Sequence, residues 1–221
     1  MTKVLLSWSS GKDSAWALHL LRQRPDLEVV ALFTTLNGPA NRVAMHAVRR
    51  ELLEQQARTA NLPLWTVELP WPCANPDYER LMAGVCARAA QEGITAVAFG
   101  DLFLEEIRAY RVRQLENTGL EALFPLWGLD TSRLAEEMLA AGVRAKVICV
   151  DPKQLSPAFA GRDFDQSFLR DLPDGVDACG ENGEFHTFVY ASPAFVQGPI
   201  PIHSGEVIER DGFWFADALP K

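Results

Sequence analysis

The sequence predicts an α/β fold built on a parallel sheet, followed by a smaller α+β lobe. Two observations support the sheet: short apolar runs of strand length alternate with helical patterns over the first two-thirds of the 221 residues, and no internal repeat interrupts them. A third observation supports the second lobe, because the alternation stops near residue 128 and a region rich in Gly, Pro and Asp follows. We therefore expect one unit over residues 1–127 and a smaller one over residues 128–221.

Four buried strands are expected in the first unit. They are Val4–Trp8, Val29–Phe33, Leu64–Glu68 and Ala96–Phe99. Helical patterns separate them, and the third helix is expected to begin at Asn75-Pro76-Asp77, where Asn75 offers a side-chain cap. This alternation implies a Rossmann-like parallel sheet with helices on both faces. Such sheets bind ligands beyond the carboxyl ends of their strands, where the strand order reverses.

The second unit is expected to hold a helix, a strand and a hairpin. The helix runs from Thr131 to Ala141 and is closed by Gly142, and the strand covers Lys146–Val150. Asp211-Gly212 is a dipeptide typical of a tight hairpin turn.

Composition and charge argue against several function classes. The net charge is −8, whereas proteins that wrap nucleic acid usually carry a basic surface, so no nucleic-acid partner is expected. No apolar run approaches the roughly 18 residues of a membrane helix, and the N-terminal apolar stretch is too short for a signal peptide, so we expect a cytoplasmic protein without a membrane partner. The four cysteines form no CxxC pair, which argues against a zinc site or a paired-thiol mechanism.

The most informative segment is the loop Ser9-Ser10-Gly11-Lys12-Asp13-Ser14, between the first strand and the first helix. A glycine, three hydroxyls and the free amides of a helix start together make an anion site suited to phosphate. Lys12 can add a point charge, and Asp13 can hold Mg²⁺ against the phosphates. The loop lacks the spacer of a Walker A motif. The alternative is a serine-rich turn with Asp13 as a helix cap, but the complete strand–loop–helix unit favours phosphate binding.

This loop resembles the PP-loop of the adenine nucleotide alpha-hydrolase superfamily, whose pattern is SGGxDS, with Ser10 at the position of the first glycine. Other segments narrow the resemblance to the short form of the diphthine–ammonia ligase family. They are Gly100-Asp101, the arginine-rich stretch Glu106–Arg113, Pro125–Gly128 and the late segment Cys179–Thr187. The late segment departs from the family form EGGEYET, since this chain has Glu181-Asn182-Gly183-Glu184-Phe185-His186-Thr187.

The resemblance implies an ATP-dependent ligase. In that family ATP is cleaved between its α and β phosphates to adenylate a carboxylate, and ammonia then displaces AMP to form an amide; the known substrate is diphthine, a modified histidine of an elongation factor. The implied cofactors are ATP and Mg²⁺, and the implied partner is a carboxylate-bearing molecule, with a protein side chain among the options. The oligomeric state is left open, with a homodimer as one option.

The loop and the resemblance together assign residues to the site. The expected ATP contacts are Ser9, Ser10, Gly11, Lys12, Asp13, Ser14, Phe33, Thr34, Gly100 and Asp101. The expected catalytic residues are Lys12, Asp13, Glu184 and His186, with Asp13 also the Mg²⁺ ligand. The expected substrate contacts are His46, Arg108, Arg111 and Glu181. Glu181, Glu184 and His186 are expected to face a cleft opposite the phosphate loop, although a polar loop that only caps a hairpin is the structural alternative.

Two other functions stay open on sequence alone. One is a PP-loop enzyme that modifies RNA, which the acidic charge and the absent CxxC pair disfavour. The other is a nucleotide-binding sensor without catalysis, which would share the fold and the loop.

Overall fold

The computed structural model describes all 221 residues, and its first half is a six-stranded sheet. The strands are β1 (Thr2–Ser7), β2 (Leu27–Asn37), β3 (Arg42–Val43), β4 (Leu64–Leu69), β5 (Ala96–Ala98) and β6 (Glu121–Leu123). Five of them run parallel in the order β4-β2-β1-β5-β6, and the short β3 is antiparallel to β2. The chain therefore builds outward on one side of β1 and then returns to its other side, which makes the end of β1 the point where strand order reverses.

Six α-helices accompany the two sheets of the molecule. They are α1 (Lys12–Leu21), α2 (Arg50–Ala60), α3 (Asn75–Gln91), α4 (Glu105–Leu115), α5 (Thr131–Ala140) and α6 (Gln166–Asp171). Successive residues of β1 point to opposite sides, so that Val4 and Leu6 join a core of 40 buried residues while Leu5 joins a separate core of nine. Both faces of the parallel sheet are thus covered, as the alternating strands and helices predicted. None of the six helices combines the length and apolar character needed to cross a bilayer.

The four strands expected in the first unit are present, but β2 is longer than predicted. It continues to Asn37 because both of its edges find partners beyond the end of β1. On one edge Leu32–Asn37 pairs with β4, and on the other Leu36 and Asn37 pair with β3. The prediction that Asn75 caps the third helix was wrong. The capping position, which has extended backbone, belongs to Ala74, so Asn75 is already the first helical residue.

The second half contains an antiparallel sheet of five strands. They are β7 (Arg144–Val150), β8 (Asp163–Phe164), β9 (Phe185–Ala191), β10 (Ile202–Arg210) and β11 (Phe213–Pro220). The central strand β7 pairs with β9 along one edge and with β8 and β11 along the other. The predicted hairpin at Asp211-Gly212 is confirmed, since both residues have positive φ (54° and 80°) and join β10 to β11.

The two sheets share one interior. The larger core includes Val4 of β1 and Val147 of β7, and the Val189 amide of β9 donates to the Ser10 carbonyl at 3.0 Å. The second sheet is therefore hydrogen-bonded directly to the loop that follows β1. The division at residues 127 and 128 stays a prediction, because this core runs across it.

Candidate functional site

The loop between β1 and α1 has the backbone of an anion-binding turn. Ser10 is fully buried and has a φ of 65°, a left-handed conformation that favours glycine. Gly11 is extended, and a Cβ atom there would lie 3.3 Å from the Thr187 carbonyl oxygen. Thr187 Oγ1 accepts from the Lys12 amide at 3.1 Å, whereas Gly11, at the N-cap position, has no side chain that could accept from the following amides. The other amides of the first turn are left for a ligand.

A buried glutamine holds this loop in place. Gln56 of α2 is fully buried, and its Oε1 accepts from the Trp8 indole at 2.8 Å. Its Nε2 donates to the carbonyl oxygens of Ser10 and Val189, at 3.0 and 2.6 Å. Sequence reasoning missed this role. The available signal was a polar side chain on the face of α2 that otherwise buries apolar residues.

The Lys12 side chain points into the protein rather than along the loop. Its ammonium donates to both carboxylate oxygens of Asp13, at 3.0 and 2.9 Å, and to the Cys179 carbonyl. Burial alone would lower the pKa of Lys12, but the charge of Asp13 and the hydrogen bond to it contribute to a net rise. The ammonium is therefore committed to Asp13 and to the late segment. The predicted contact of Lys12 with phosphate stays a prediction.

Three carboxylates meet beside the start of α1. Gly100 packs so closely on α1 that a Cβ atom would lie 3.3 Å from the Ser14 amide nitrogen, and this contact brings Asp101 near Asp13. Asp101 Oδ2 is buried without a hydrogen bond and lies 3.6 Å from the Arg111 Nε. Glu181 accepts from the Leu102 amide at 2.7 Å, and burial, with the nearby charges of Asp13 and Asp101, raises its pKa to about 7. Burial likewise raises the pKa of Asp13 and of Asp101.

The carboxylates are better suited to a magnesium ion that also binds phosphate oxygens than to a metal site made only of protein side chains. No three His, Cys, Asp or Glu side chains of the chain are arranged to hold a metal ion. Mg²⁺ usually takes one or two carboxylates and fills its remaining positions with phosphate oxygens and water. Asp13, with Asp101 close by, satisfies that smaller requirement, since Asp101 Oδ2 accepts no hydrogen bond although it lies beside Arg111.

A cavity of about 880 Å³ lies between the two sheets. Ser9, Phe33 and Thr34 line it at the carboxyl ends of β1 and β2, so three of the predicted ATP contacts reach it. Among the other predicted site residues, His46, Arg111 and His186 line the cavity. Glu181, Glu184 and Arg108 do not line it, and neither do the other seven predicted ATP contacts, which are Ser10, Gly11, Lys12, Asp13, Ser14, Gly100 and Asp101. Its volume lies within the range of roughly 300–1,000 Å³ found for small-molecule pockets.

His46 and His186 stack against each other in this cavity. Their ring centroids are 4.4 Å apart with 31° between the planes. His46 was expected at the start of the second helix, but it lies in a turn ahead of α2, flanked by Met45 and Ala47 with φ values of 64° and 56°. Burial lowers the pKa of His186 to about 4 and that of His46 well below its usual range, so both rings are neutral at neutral pH.

Glu184 organises the late segment and does not face the cleft as predicted. It is almost fully buried, and its Oε1 accepts from the Asp177 amide and the Asn182 side chain, both at 3.0 Å. Asp177, which sequence reasoning missed, in turn accepts from the amides of Cys179 and Glu181. Such carboxylate-to-amide contacts fix a loop rich in glycine. The predicted catalytic role of Glu184 is untested by this geometry.

The two predicted substrate arginines of α4 are held by aromatic rings. Arg108 lies 4.8 Å from the Trp127 ring centroid, and Arg111 lies 5.2 Å from that of Phe99. Only Arg111 reaches the cavity wall.

Comparisons with known proteins find one matching family model and several similar ligases. The family model "Diphthamide synthase C-terminal domain" matches residues 130–218. The chain is similar to the diphthine–ammonia ligases of Bos taurus (27% identity over 80% of this chain and 65% of the relative) and Homo sapiens (28% over 65% and 55%). That of Rattus norvegicus is 24% identical over 94% of this chain and 85% of the relative. The chain thus spans less than two thirds of the bovine and human proteins. Residues 130–218 thus resemble the diphthamide synthase C-terminal domain, and the chain is similar to diphthine–ammonia ligases over most of its length.

Proposed function

We propose that this chain is an ATP-dependent ligase that activates a carboxylate as its adenylate and converts it to an amide with ammonia or another amine. One observation carries the proposal: Ser9 of the phosphate loop, with Phe33 and Thr34 beside it, lines a cavity large enough for a nucleotide and a second molecule. The names of the similar ligases support the same reaction.

The first step is transfer of the AMP group. A carboxylate oxygen of the substrate attacks the α-phosphorus of ATP, and the bond to the β-phosphate oxygen breaks as pyrophosphate leaves. The first-turn amides of α1 stabilise the charge that develops on the departing pyrophosphate. Asp13 and Asp101 would hold Mg²⁺, which neutralises phosphate charge when bound. We place the adenine against Phe33 and Thr34, which line the cavity beside the loop.

The second step is attack by the amine. Its nitrogen forms a bond to the acyl carbon, the bond from that carbon to the phosphate oxygen breaks, AMP leaves and one proton is released to water. An adenylate has to be shielded from water until the amine arrives. The second sheet supplies that shield, because β9 is bonded to the phosphate loop and carries His186 into the cavity.

The acyl substrate is a diphthine-like side chain or another carboxylate, and we expect the reaction to occur in the cytoplasm without nucleic acid. The net charge of −8 disfavours an RNA substrate. Met45 and Trp71, both strongly exposed, lie at the cavity wall, so an apolar portion of the substrate has a surface to rest on.

Product analysis tests this function. The protein is incubated with ATP, magnesium, ammonium and a pool of candidate carboxylic acids, and AMP and pyrophosphate are measured. The ligase forms both in equal amounts. Binding of ATP without AMP formation would indicate a sensor, and a gel shift with bulk tRNA would indicate an RNA-modifying enzyme.

A further inference from the structure

We propose that His46 and His186 form a separate subsite that holds the attacking amine as a neutral molecule, ammonia or a small primary amine. The inference rests on the proposed ligase function and assigns it an amine site. Three features of the structure support it: two imidazole rings in contact, a ring nitrogen without a hydrogen bond, and the left-handed backbone on either side of His46.

The subsite brings together two separate parts of the chain. His186 comes from β9, directly before the Thr187 that binds the Lys12 amide. His46 comes from the turn between β3 and α2, on the first sheet. Their centroid distance of 4.4 Å puts the two tilted rings in contact, and both rings line the same cavity as Ser9 of the phosphate loop.

His46 offers the subsite a hydrogen-bond acceptor. Its Nδ1 is buried and has no hydrogen-bond partner. We assign the proton of the neutral ring to Nε2, because Nδ1 has no acceptor to which it could donate, and this leaves the free lone pair on Nδ1. A buried nitrogen lone pair without a donor is costly, and an amine N–H would satisfy it.

The surrounding charges select a neutral amine over an ammonium ion. The positive charge of Lys12 lowers the pKa of both histidines, and Glu184 only partly opposes it at His186. The three arginines of the cavity each lie beside a carboxylate, Arg42 beside Asp217 at 3.0 Å, Arg111 beside Asp101 at 3.6 Å and Arg210 beside Asp211 at 3.7 Å. Asp211 is the one carboxylate in the cavity wall, so its charge is already offset by Arg210. A neutral amine also keeps the lone pair that attacks the adenylate.

A second feature indicates that the position of His46 matters. Met45 and Ala47 on either side of it are left-handed, which costs roughly 1–2 kcal/mol for each non-glycine residue. The turn is fixed to the second sheet by Asp217 of β11, which accepts from Arg42 and Arg49, while Arg42 also donates to the Ala47 carbonyl. Asp217 is therefore a positioning residue for His46.

Proton NMR of the imidazole C–H groups tests the subsite directly, because the chain has only four histidines. The nucleotide site is filled with α,β-methylene ATP, and ammonium chloride is added at about pH 7 and about pH 8, with potassium chloride as the matched control. Neutral ammonia rises about tenfold for each pH unit in this range. The His46 and His186 signals should shift, relative to the control, in proportion to neutral ammonia, while those of His19 and His203 stay unchanged. Shifts that equal the potassium control, or that follow total ammonium, would overturn the proposal.

Two variants distinguish the loss of ammonia binding from the loss of the turn that positions His46. His186→Phe keeps a ring of similar size against His46 but removes the nitrogens, and Asp217→Asn releases the arginines that fix the turn. We expect His186→Phe to weaken the ammonia response of His46 at least several-fold. In Asp217→Asn the pKa of His46 should move toward its ordinary value with the response weakened, provided the melting curve stays cooperative. An unchanged response in both variants would contradict the subsite. ATP cleavage is measured independently, so failure of the ligase function and failure of the amine site remain distinguishable.

Discussion

Replacement of Gln56 by leucine should destabilise the protein strongly, although Gln56 contacts no ligand. The substitution removes the acceptor of the Trp8 indole N–H and the donor to the Val189 carbonyl, both buried. The Ser10 carbonyl keeps its bond from the Val189 amide. A buried polar group left without its partner costs about 1–3 kcal/mol. Two such groups lower the free energy of unfolding by about 2–6 kcal/mol, a large part of a typical total of about 5–15 kcal/mol.

Urea unfolding followed by tryptophan fluorescence measures this loss. Gln55→Leu is the matched control, because it makes the same change one position earlier, where the side chain has no hydrogen bond and is only partly buried. The control should change the free energy of unfolding by no more than about 0.5 kcal/mol. Gln56→Leu should also weaken ATP binding, since Gln56 fixes Ser10. Equal stability of the two variants would refute the reasoning.

Two further predictions follow from packing and from titration. Gly100→Ala should weaken ATP binding, measured by calorimetry, because the new Cβ atom would lie 3.3 Å from the start of α1. Gly84→Ala is the control, because position 84 lies in open space on α3. It should leave ATP binding unchanged and stabilise the protein by about 0.5–1 kcal/mol. The pKa of His186 is about 4 in the folded protein against 6.5 ordinarily, so between these values the unfolded chain binds more protons. The free energy of unfolding should therefore fall on acidification from about pH 6.5 to about pH 4, by up to about 3 kcal/mol from this group, and urea unfolding of His186→Phe should lack that part. The raised pKa of Glu181 has the opposite effect, because it increases the free energy of unfolding on acidification. The variant and the wild type are therefore compared with each other at each pH. An identical pH dependence in the two proteins would contradict the burial of a neutral His186.

Local sequence patterns were sufficient for the four buried strands of the first sheet and for the last hairpin, but not for short elements such as β3, β6, β8 and α6. Apolar runs predicted the buried strands, and the Asp211-Gly212 dipeptide predicted the hairpin. The serine at the first glycine position of the phosphate loop has the left-handed backbone that this position requires. These features depend on residues close together in the chain, which is why periodicity and turn chemistry could find them.

Contacts between distant segments could not be predicted. Gln56 lies in α2 yet bonds to residues near the start of the chain and to β9, and Lys12 is buried because the late segment folds over it. The prediction that Glu184 faces the cleft was wrong for the same reason. Its carboxylate binds the backbone of its own loop, a choice that depends on how that loop packs and not on its composition.

The most direct test of the account is the fate of ATP labelled at its α-phosphate, in wild-type protein and in Asp13→Asn. Asp13→Asn keeps a side-chain oxygen for the buried Lys12 ammonium but removes the charge that offsets it, so the variant is first shown to unfold cooperatively above the assay temperature. With magnesium, ammonium and the carboxylic acid pool, the wild type should convert label to AMP. Loss of one charge-stabilising contact should slow the variant by about 100-fold or more. Label recovered as ADP, or AMP formed equally fast by Asp13→Asn, would contradict the claim that this loop cleaves ATP between its α and β phosphates.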